Sequence, residues 1–311
     1  MDLVKKREIL CLVTILVFIT GSALCEIHEY AGTSGAQFLK FGPGARQAAM
    51  GDAFSSVSGD AFTLCWNPAL ISEIDKNVFS FMHSFWLENV SIDYAAVVVP
   101  TSTGNLGISF GYLNAGTIEK IDKTGTVLSG GFTPYDIILG VSFARNIISS
   151  LNAGCTLKGI YSDIDSIAAF SYALDAGATY GLLQDTLKVG VSLQNLGSSM
   201  KFVSQQDPLP FTIRAGASYR FKLLLVSLDT VIPNDANLSI HFGAEYGLKI
   251  AESIDGLLRV GYNTKNSSAG GISGLSLGAG IQTESYAVDY AWVPFGILGS
   301  THRLSMNLKF K

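Results

Sequence analysis

Charge is scarce in this 311-residue sequence: Asp, Glu, Lys and Arg together make up only 15%. The balance is a formal net charge of −4, which gives no reason to expect a nucleic-acid partner. Cysteine is rarer still, with four in all, Cys11, Cys25, Cys65 and Cys155. They show no CxxC and no Cys/His ligand spacing, so neither a zinc site nor a redox motif is expected. A Cys65–Cys155 disulfide is left open. No apolar run of membrane-helix length occurs beyond the N-terminus, which excludes helical membrane spans. Four histidines, His28, His83, His241 and His302, supply little acid–base chemistry. His241 and Glu245 alternate onto one strand face, where a wall-lining pair is the plainer explanation than catalysis. The glycine-rich GGISG at 270–274 lacks the lysine of a phosphate loop. Asp163 and Asp165 flank a turn, where Asp is at home. No catalytic residue, metal or cofactor is expected, and an enzyme is the last reading.

What the sequence does have is glycine, 33 copies, and a mildly positive mean hydropathy. Residues 1–25 read as an export signal: Lys5, Lys6 and Arg7, then the apolar 9–20, then small residues from Gly21 to Cys25. Cleavage is expected after Ala23 or Cys25. About twelve apolar residues are too few to span a bilayer comfortably, and Leu24 before Cys25 disfavours a lipoprotein.

Past residue 76 the chain alternates. His302, Leu304, Met306, Leu308 and Phe310 share one face, and Arg303, Ser305, Asn307 and Lys309 the other. A strand has a two-residue period, so such spacing separates two surfaces. Segments 211–221 and 238–249 behave in the same way. The pattern predicts fourteen strands, near 77–86, 90–99, 104–113, 134–145, 151–161, 169–180, 185–195, 210–221, 222–231, 238–248, 256–263, 272–282, 284–292 and 301–310. Segments of about ten residues suit tilted strands crossing a bilayer, and an even count puts both termini on one side, the periplasmic one in an exported barrel. Residues 114–133 are expected to hold a small hairpin, and 196–209 a long loop.

The alternative is a soluble β-sandwich. Against it, the apolar face carries Tyr112, Tyr161, Tyr180, Tyr219, Tyr246 and Tyr262 near strand ends, as interfacial girdles require. The polar face is read to carry Arg145, Lys158, Asp175, Lys188, Arg214, Asp229, Glu245, Arg259, Asp289 and Arg303 in mid-strand, where a dry core could not hold them. The expected fold is therefore an all-β, fourteen-stranded antiparallel transmembrane barrel over 76–311. The mixed lumenal charges are expected to tie an internal segment to the wall.

Residues 26–75 differ. Gly42, Pro43 and Gly44 break the chain, with Pro43 in the first turn of a helix whose Ala45, Ala48, Ala49 and Ala53 form a narrow surface. Asn67 and Pro68 form the N-cap and first-turn pair of a second short helix. The segment reads as a hatch inside the lumen rather than a soluble subdomain, because a barrel this wide encloses space. Phe38, Leu39, Phe41, Phe54 and Phe62 are the candidate apolar ligand contacts; the same residues could simply pack the hatch.

The run FLKFGPGARQAAMGDAF followed by DAFTLCWNPAL resembles the opening of the PorV/PorQ-type outer-membrane proteins, including the UPF0164 group of spirochaetes. That group is in turn similar to the FadL-type long-chain fatty acid transporters. DAGATYG with VSLQNLG, LPFTIRAGASYRF, HFGAEYGLKI and DYAWVPFGILGSTHRLSMNLKF extend the match along the chain. The match singles out Gly42, Pro43, Gly44, Arg46, Gly51, Asn67 and Pro68 as hatch positions. Lys311 after Phe310 departs from the terminal aromatic that the outer-membrane insertion machinery reads. The resemblance implies a bacterial outer-membrane barrel in contact with lipid bilayer and insertion machinery. Its implied roles are uptake of fatty acids or other hydrophobic molecules, or partnership with secreted proteins. A general porin is disfavoured by the hatch.

Overall fold

Period-two alternation becomes fourteen long strands in the computed structural model, which describes residues 28–267 and 270–311. The expected signal segment and its cleavage lie outside the described residues. The strands are β1 (Asn77–Phe85), β2 (Ser91–Thr101), β3 (Gly104–Asn114), β6 (Tyr135–Ile148), β7 (Leu151–Ile164), β8 (Ile167–Leu182), β9 (Leu187–Gly197), β12 (Thr212–Phe221), β13 (Leu224–Pro233), β14 (Ser239–Ala251), β15 (Ile254–Asn263), β16 (Leu275–Gln282), β17 (Tyr286–Pro294) and β18 (Ser300–Phe310). Each pairs with its neighbours along the chain, and β1 closes on β18 to complete an antiparallel barrel. At that seam Asn77 faces Phe310 and Phe85 faces His302. Two small hairpins stand outside the barrel sheet, β4 (Ile118–Ile121) with β5 (Val127–Phe132), and β10 (Met200–Lys201) with β11 (Gln206–Asp207). The first is the hairpin expected within 114–133.

Short connections gather at the barrel end that carries Asn77 and Phe310, the turn end. The long ones, 115–134, 198–211 and 264–274, lie at the opposite, loop end. Outward positions form an apolar belt, with Ile108, Val141, Phe170, Leu258, Val288 and Leu304 exposed among many others. Water does not tolerate an apolar surface of this extent, whereas lipid does. Tyr112, Tyr135 and Tyr161 stand side by side near the loop end, ring centroids 6.1 and 6.0 Å apart, as an interfacial girdle would.

Inward positions carry the expected charges, with one correction. Arg145 shares the outward parity of Leu139 and Val141 and is exposed near the turn end of β6. A long side chain there can reach the headgroups, so the position is tolerated. The cysteines lie apart: Cys155 points outward from β7, Cys65 belongs to the inner segment, and both are free thiols.

Residues 28–76 run through the lumen. Gly35 N–H donates to Pro208 O, which places the described start of the chain at the loop end. The segment descends, turns back and joins β1 at the turn end. Asn77 and Phe310 share the turn end, as an even strand count requires, while the described start of the chain lies at the loop end. Strand parity alone does not register that the hatch itself crosses the lumen.

The core lies between hatch and wall. Phe54, Phe62, Leu64, Trp66, Leu70 and Ile71 are almost wholly buried there. Glycine makes the fit possible. A Cβ on Gly261 would lie 2.0 Å from Gly51 N, one on Gly243 2.5 Å from Met50 O, and one on Gly190 2.1 Å from Ser55 O. Backbone thus meets backbone where any side chain would hold the two apart. The small-residue surface works likewise: Ala45, Ala48 and Ala49 pack on Ala291 and Val293 of β17. The helix spans Ala45–Ala49 with Gly44 as N-cap, so Pro43 precedes the helix instead of sitting in its first turn. Asn67 does cap the 3-10 turn Pro68–Glu73: its Oδ1 accepts from Ala69 N–H at 3.1 Å, with Pro68 at the first position.

Candidate functional site

The hatch is anchored from below by charge. Arg46 donates from Nε and Nη2 to the two oxygens of Glu245, at 2.7 and 2.8 Å. Arg259 Nε donates to the same carboxylate at 2.7 Å, and its Nη1 to Asp289 at 2.7 Å. This chain of alternating charges spans hatch, β14, β15 and β17, and supplies the ties expected from the lumenal charges. Paired in this way, buried charges are tolerable; singly they would not be. Ser55 N–H and Oγ donate to Asp229 at 2.8 and 2.6 Å. The His241–Glu245 pair does not act as a unit. His241 Nδ1 donates to Gly51 O at 2.7 Å, since a carbonyl can only accept, and Nε2 lies 2.9 Å from Ser239 Oγ. Within the hatch, burial pushes the Asp60 carboxyl up, and Gln47 Nε2 bonds both its oxygens at 2.9 Å.

Above this anchored floor, toward the loop end, the barrel is not filled. Two adjoining cavities of about 100 and 440 Å³ share Lys40, Phe41, Gly42, Asp52 and Lys265 in their walls. The smaller reaches down to Leu64, Trp66, Tyr94 and Val231; the larger runs past Phe38, Trp86, Ile92, Val293 and Phe295. The hatch supplies one wall because Gly42 crosses the Trp66 ring so closely that a Cβ would sit 2.0 Å from it. Trp66 Nε1 then donates to Pro43 O at 3.0 Å.

The five candidate contact residues divide. Phe38, Leu39 and Phe41 are half-buried and line these cavities. Phe54 and Phe62 do not. Phe54 packs with Met50, Val57 and Trp66, and Phe62 with Leu64, Ile71 and wall residues, so both are packing residues and are withdrawn as ligand contacts. Of the motif positions, Gly42 and Pro43 border the smaller cavity. Gly44 and Arg46 set the helix and its anchor, Gly51 touches the wall, and Asn67 and Pro68 pack on Gly177 and Gly154.

Set into the apolar lining are cations with spare capacity. Arg303 stacks under Phe41, its Cζ 4.1 Å from the ring centroid, and lies 5.6 Å from that of Trp86. Its Nη1 donates to Gly42 O at 2.9 Å, while its buried Nε has no hydrogen-bond partner. Arg214 lies over Trp66 at 4.7 Å and donates from Nη2 to Asp52 O at 2.6 Å; its Nε is likewise unpartnered. Lys265 reaches in from the 264–274 loop, and Asp52 is the carboxylate that attracts it. An apolar chamber edged by two guanidinium groups can hold a nonpolar body and one anionic group.

Arg214 and Arg303 were legible as inward charges. Lys40, Asp52, Trp86, Lys265 and Phe295 were not, because they sit in hatch and loops where periodicity carries no information. An aromatic beside a strand end, as Trp86 and Phe295 are, was the available signal. Among the described residues no cluster of His, Cys, Asp or Glu could hold a metal ion, and no helix is long and apolar enough to cross a membrane.

Neither a known protein family nor a curated protein matches the sequence. Solved structures do match the fold. The deltaS2S3 mutant of the monoaromatic hydrocarbon channel TodX superposes with a TM-score of 0.62 at 12% identity, over 86% of this chain and 99% of that one. The Ralstonia pickettii toluene transporter TbuX gives 0.58 at 13% identity, over 87% and 99%. A Pseudomonas aeruginosa FadL homologue gives 0.52 at 11% identity, over 93% and 99%. The chain thus shares its closed barrel fold with these solved structures.

Proposed function

We propose that this protein conducts hydrophobic small molecules across a bacterial outer membrane, and that its preferred cargo is an amphipathic carboxylate such as a long-chain fatty acid. The carrying observation is the Arg303 guanidinium in the wall of an aromatic-lined cavity, its buried Nε without a hydrogen-bond partner. Arg214 and Lys265 add positive charge; Asp52 and Asp175 also line the cavities, Asp175 paired with Lys158, and Asp229 lies 3.9 Å from Arg214. The fold shared with hydrocarbon channels supports transport of an apolar body; the cations argue for an acidic end on it. The turn end would face the periplasm, since short turns lie on that side of such barrels.

Trp66 and Trp86 line the cavities, so binding is readable as a change in tryptophan emission in detergent. Oleate is expected to bind more tightly than its methyl ester. Arg303→Gln should weaken oleate roughly tenfold to a hundredfold, the worth of a charge-assisted hydrogen bond, and leave the ester unchanged. Binding of neither would sink the proposal; equal binding of both would remove its acidic-cargo part.

A second reading, a partner for secreted proteins, is favoured by the β4–β5 hairpin, which leaves Ile118, Ile121, Val127 and Leu128 exposed. Cross-linking from Val127→Cys in cells should capture an exported protein if this holds, and no protein if it does not.

A further inference from the structure

The connection from β17 to β18 reads Phe295-Gly-Ile-Leu-Gly299 and has two faces. Gly296 and Gly299 take positive φ, 59° and 106°; Leu298 N–H donates to Phe295 O at 3.2 Å in a tight 3-10 turn, and Phe295 N–H donates to Gly299 O at 2.8 Å across its base. That turn throws Ile297 and Leu298 outward, 93% and 61% exposed. Phe295 goes the other way. It meets Trp86 edge-on at 5.0 Å, Trp86 meets Phe41 edge-on at 4.9 Å, and all three border the larger cavity. An exposed pair of aliphatic side chains on so short a turn is costly in water.

The chemistry next to the turn says what covers it. The tip adjoins the lipid-facing wall at the β1–β18 seam, where Phe85 points outward and is 55% exposed, directly across from His302. His302 and Tyr290, also outward, share a hydrogen bond of 2.7 Å, and His83 and Asp93 another of 2.7 Å, on the same stretch of wall. Polar pairs of this kind mark the hydrocarbon boundary. Ile297 is three residues from Pro294, so even fully extended, at about 3.3–3.6 Å per residue, the connection carries its tip no more than about 10 Å beyond the strand ends, and the folded 3-10 turn carries it less far. The headgroup layer is itself about 5–8 Å deep on each side of the hydrocarbon. The tip is therefore held within the headgroup layer.

We infer that Ile297 and Leu298 form a finger inserted into the outer leaflet, and that the lipid surface is the partner of this corner. The same turn then joins the bilayer to the aromatic roof of the cavity, through Phe295 and Trp86. Nonpolar molecules dissolved in the leaflet meet the chamber mouth at this corner, a consequence that rests on the transport reading; the finger itself does not.

The test places a fluorophore on Leu298→Cys, with Cys65 and Cys155 replaced by serine, in phosphatidylcholine vesicles. Thr124→Cys at the β4–β5 hairpin tip is the aqueous control. The label at 298 is expected to be quenched by headgroup-nitroxide lipid and shielded from iodide, with the reverse at 124. Iodide quenching at 298 equal to that at 124 overturns the inference. So does shielding from both quenchers, which would mean that a protein surface covers the turn. Ile297→Asp in the labelled Leu298→Cys protein should abolish the lipid quenching, and unlabelled Ile297→Asp with Leu298→Asp should slow oleate transfer from vesicles, while oleate affinity in detergent stays the same. Loss of affinity in detergent would count against the transport reading alone.

Discussion

Gly51 leaves no room for even a methyl group. It holds φ at 64°, and a Cβ there would lie 2.6 Å from Phe242 O and 2.7 Å from Tyr262 N, both backbone atoms that cannot step aside. Gly51→Ala is expected to destabilise the folded protein by about 1–3 kcal/mol, read as a lower unfolding temperature of the heat-modifiable band, the usual cost of overpacking. Glu245 is the charged counterpart. Glu245→Gln would leave Arg46 and Arg259 facing each other with no carboxylate between them, and breaking a buried pair in this way costs about 3–5 kcal/mol. If the transition of E245Q matches that of the unaltered protein, the charge chain is not what holds the hatch. At this scale the sequence was half legible. Spacing put Arg214, Glu245, Arg259, Asp289 and Arg303 on the inner face, but which charge meets which depends on register, and register is set by hydrogen bonds between strands distant in sequence. Phe54 and Phe62 show the converse limit. Composition cannot tell an aromatic that packs a plug from one that lines a cavity.

At the scale of elements, strands were the legible part, because each has one face on lipid and one on a polar lumen. The errors sit at their ends and irregularities. Opposite Leu174 and Ala176 of β8, the β9 residues jump from Leu196 to Leu193, so Gln194 and Asn195 bulge from the ladder. Gln194 Nε2 then donates to the Cys65 and Trp66 carbonyls at 2.8 and 2.9 Å. Alternation has no signature for an extra residue of this kind. The first part of the hatch, its arm, is held at the loop end by the Gly35–Pro208 backbone bond and by one carboxylate. Asp235 accepts from Gln37 Nε2 at 2.8 Å and pairs with Lys40. Burial disfavours its charged form, but the bonds from Lys40 and Gln37 prevail and hold the carboxyl below the usual 3.8. A depressed folded pKa means that the stabilisation is complete above 3.8 and is lost as pH falls through the lower folded value. The arm should therefore stay docked at neutral pH and release only in stronger acid. A fluorophore attached at neutral pH to Ser34→Cys, in a background lacking Cys65 and Cys155, should become open to iodide quenching only there, whereas Asp235→Asn should open it at every pH. Quenching at 34 that does not change with pH would assign the docking to other contacts.

For the whole molecule, the charge chain, the glycine contacts and the capped turn Pro68–Glu73 divide the lumen into a fixed floor and an open upper chamber. Residues 44–73 belong to the fold as firmly as the strands do; the arm above them is tied by fewer bonds. Cargo movement is then expected to disturb residues 28–43 before it disturbs the floor. Hydrogen exchange with oleate bound should show changed protection in 28–43 and in the 264–274 loop, with 45–73 unaltered. A change centred on 45–73 would mean that the floor itself moves.

The contacts between hatch and wall also dictate an order of events. Ala45 N–H donates to Ser305 Oγ across 260 positions of chain, Gly51 N–H to Ser276 Oγ across 225, and Ser55 N–H to Asp229 across 174. The hatch is synthesised first, yet most of its docking partners are synthesised last. Closing loops of that length is entropically unfavourable until many contacts form together. Nor can the hatch be threaded in afterwards, because Gly261, Gly243 and Gly190 leave no clearance for anything but the final backbone. The β1–β18 seam must therefore be the last junction to zip, with the hatch already lying in the trough of an open sheet, so the segment that blocks the finished lumen also serves as the mandrel around which the wall is wrapped.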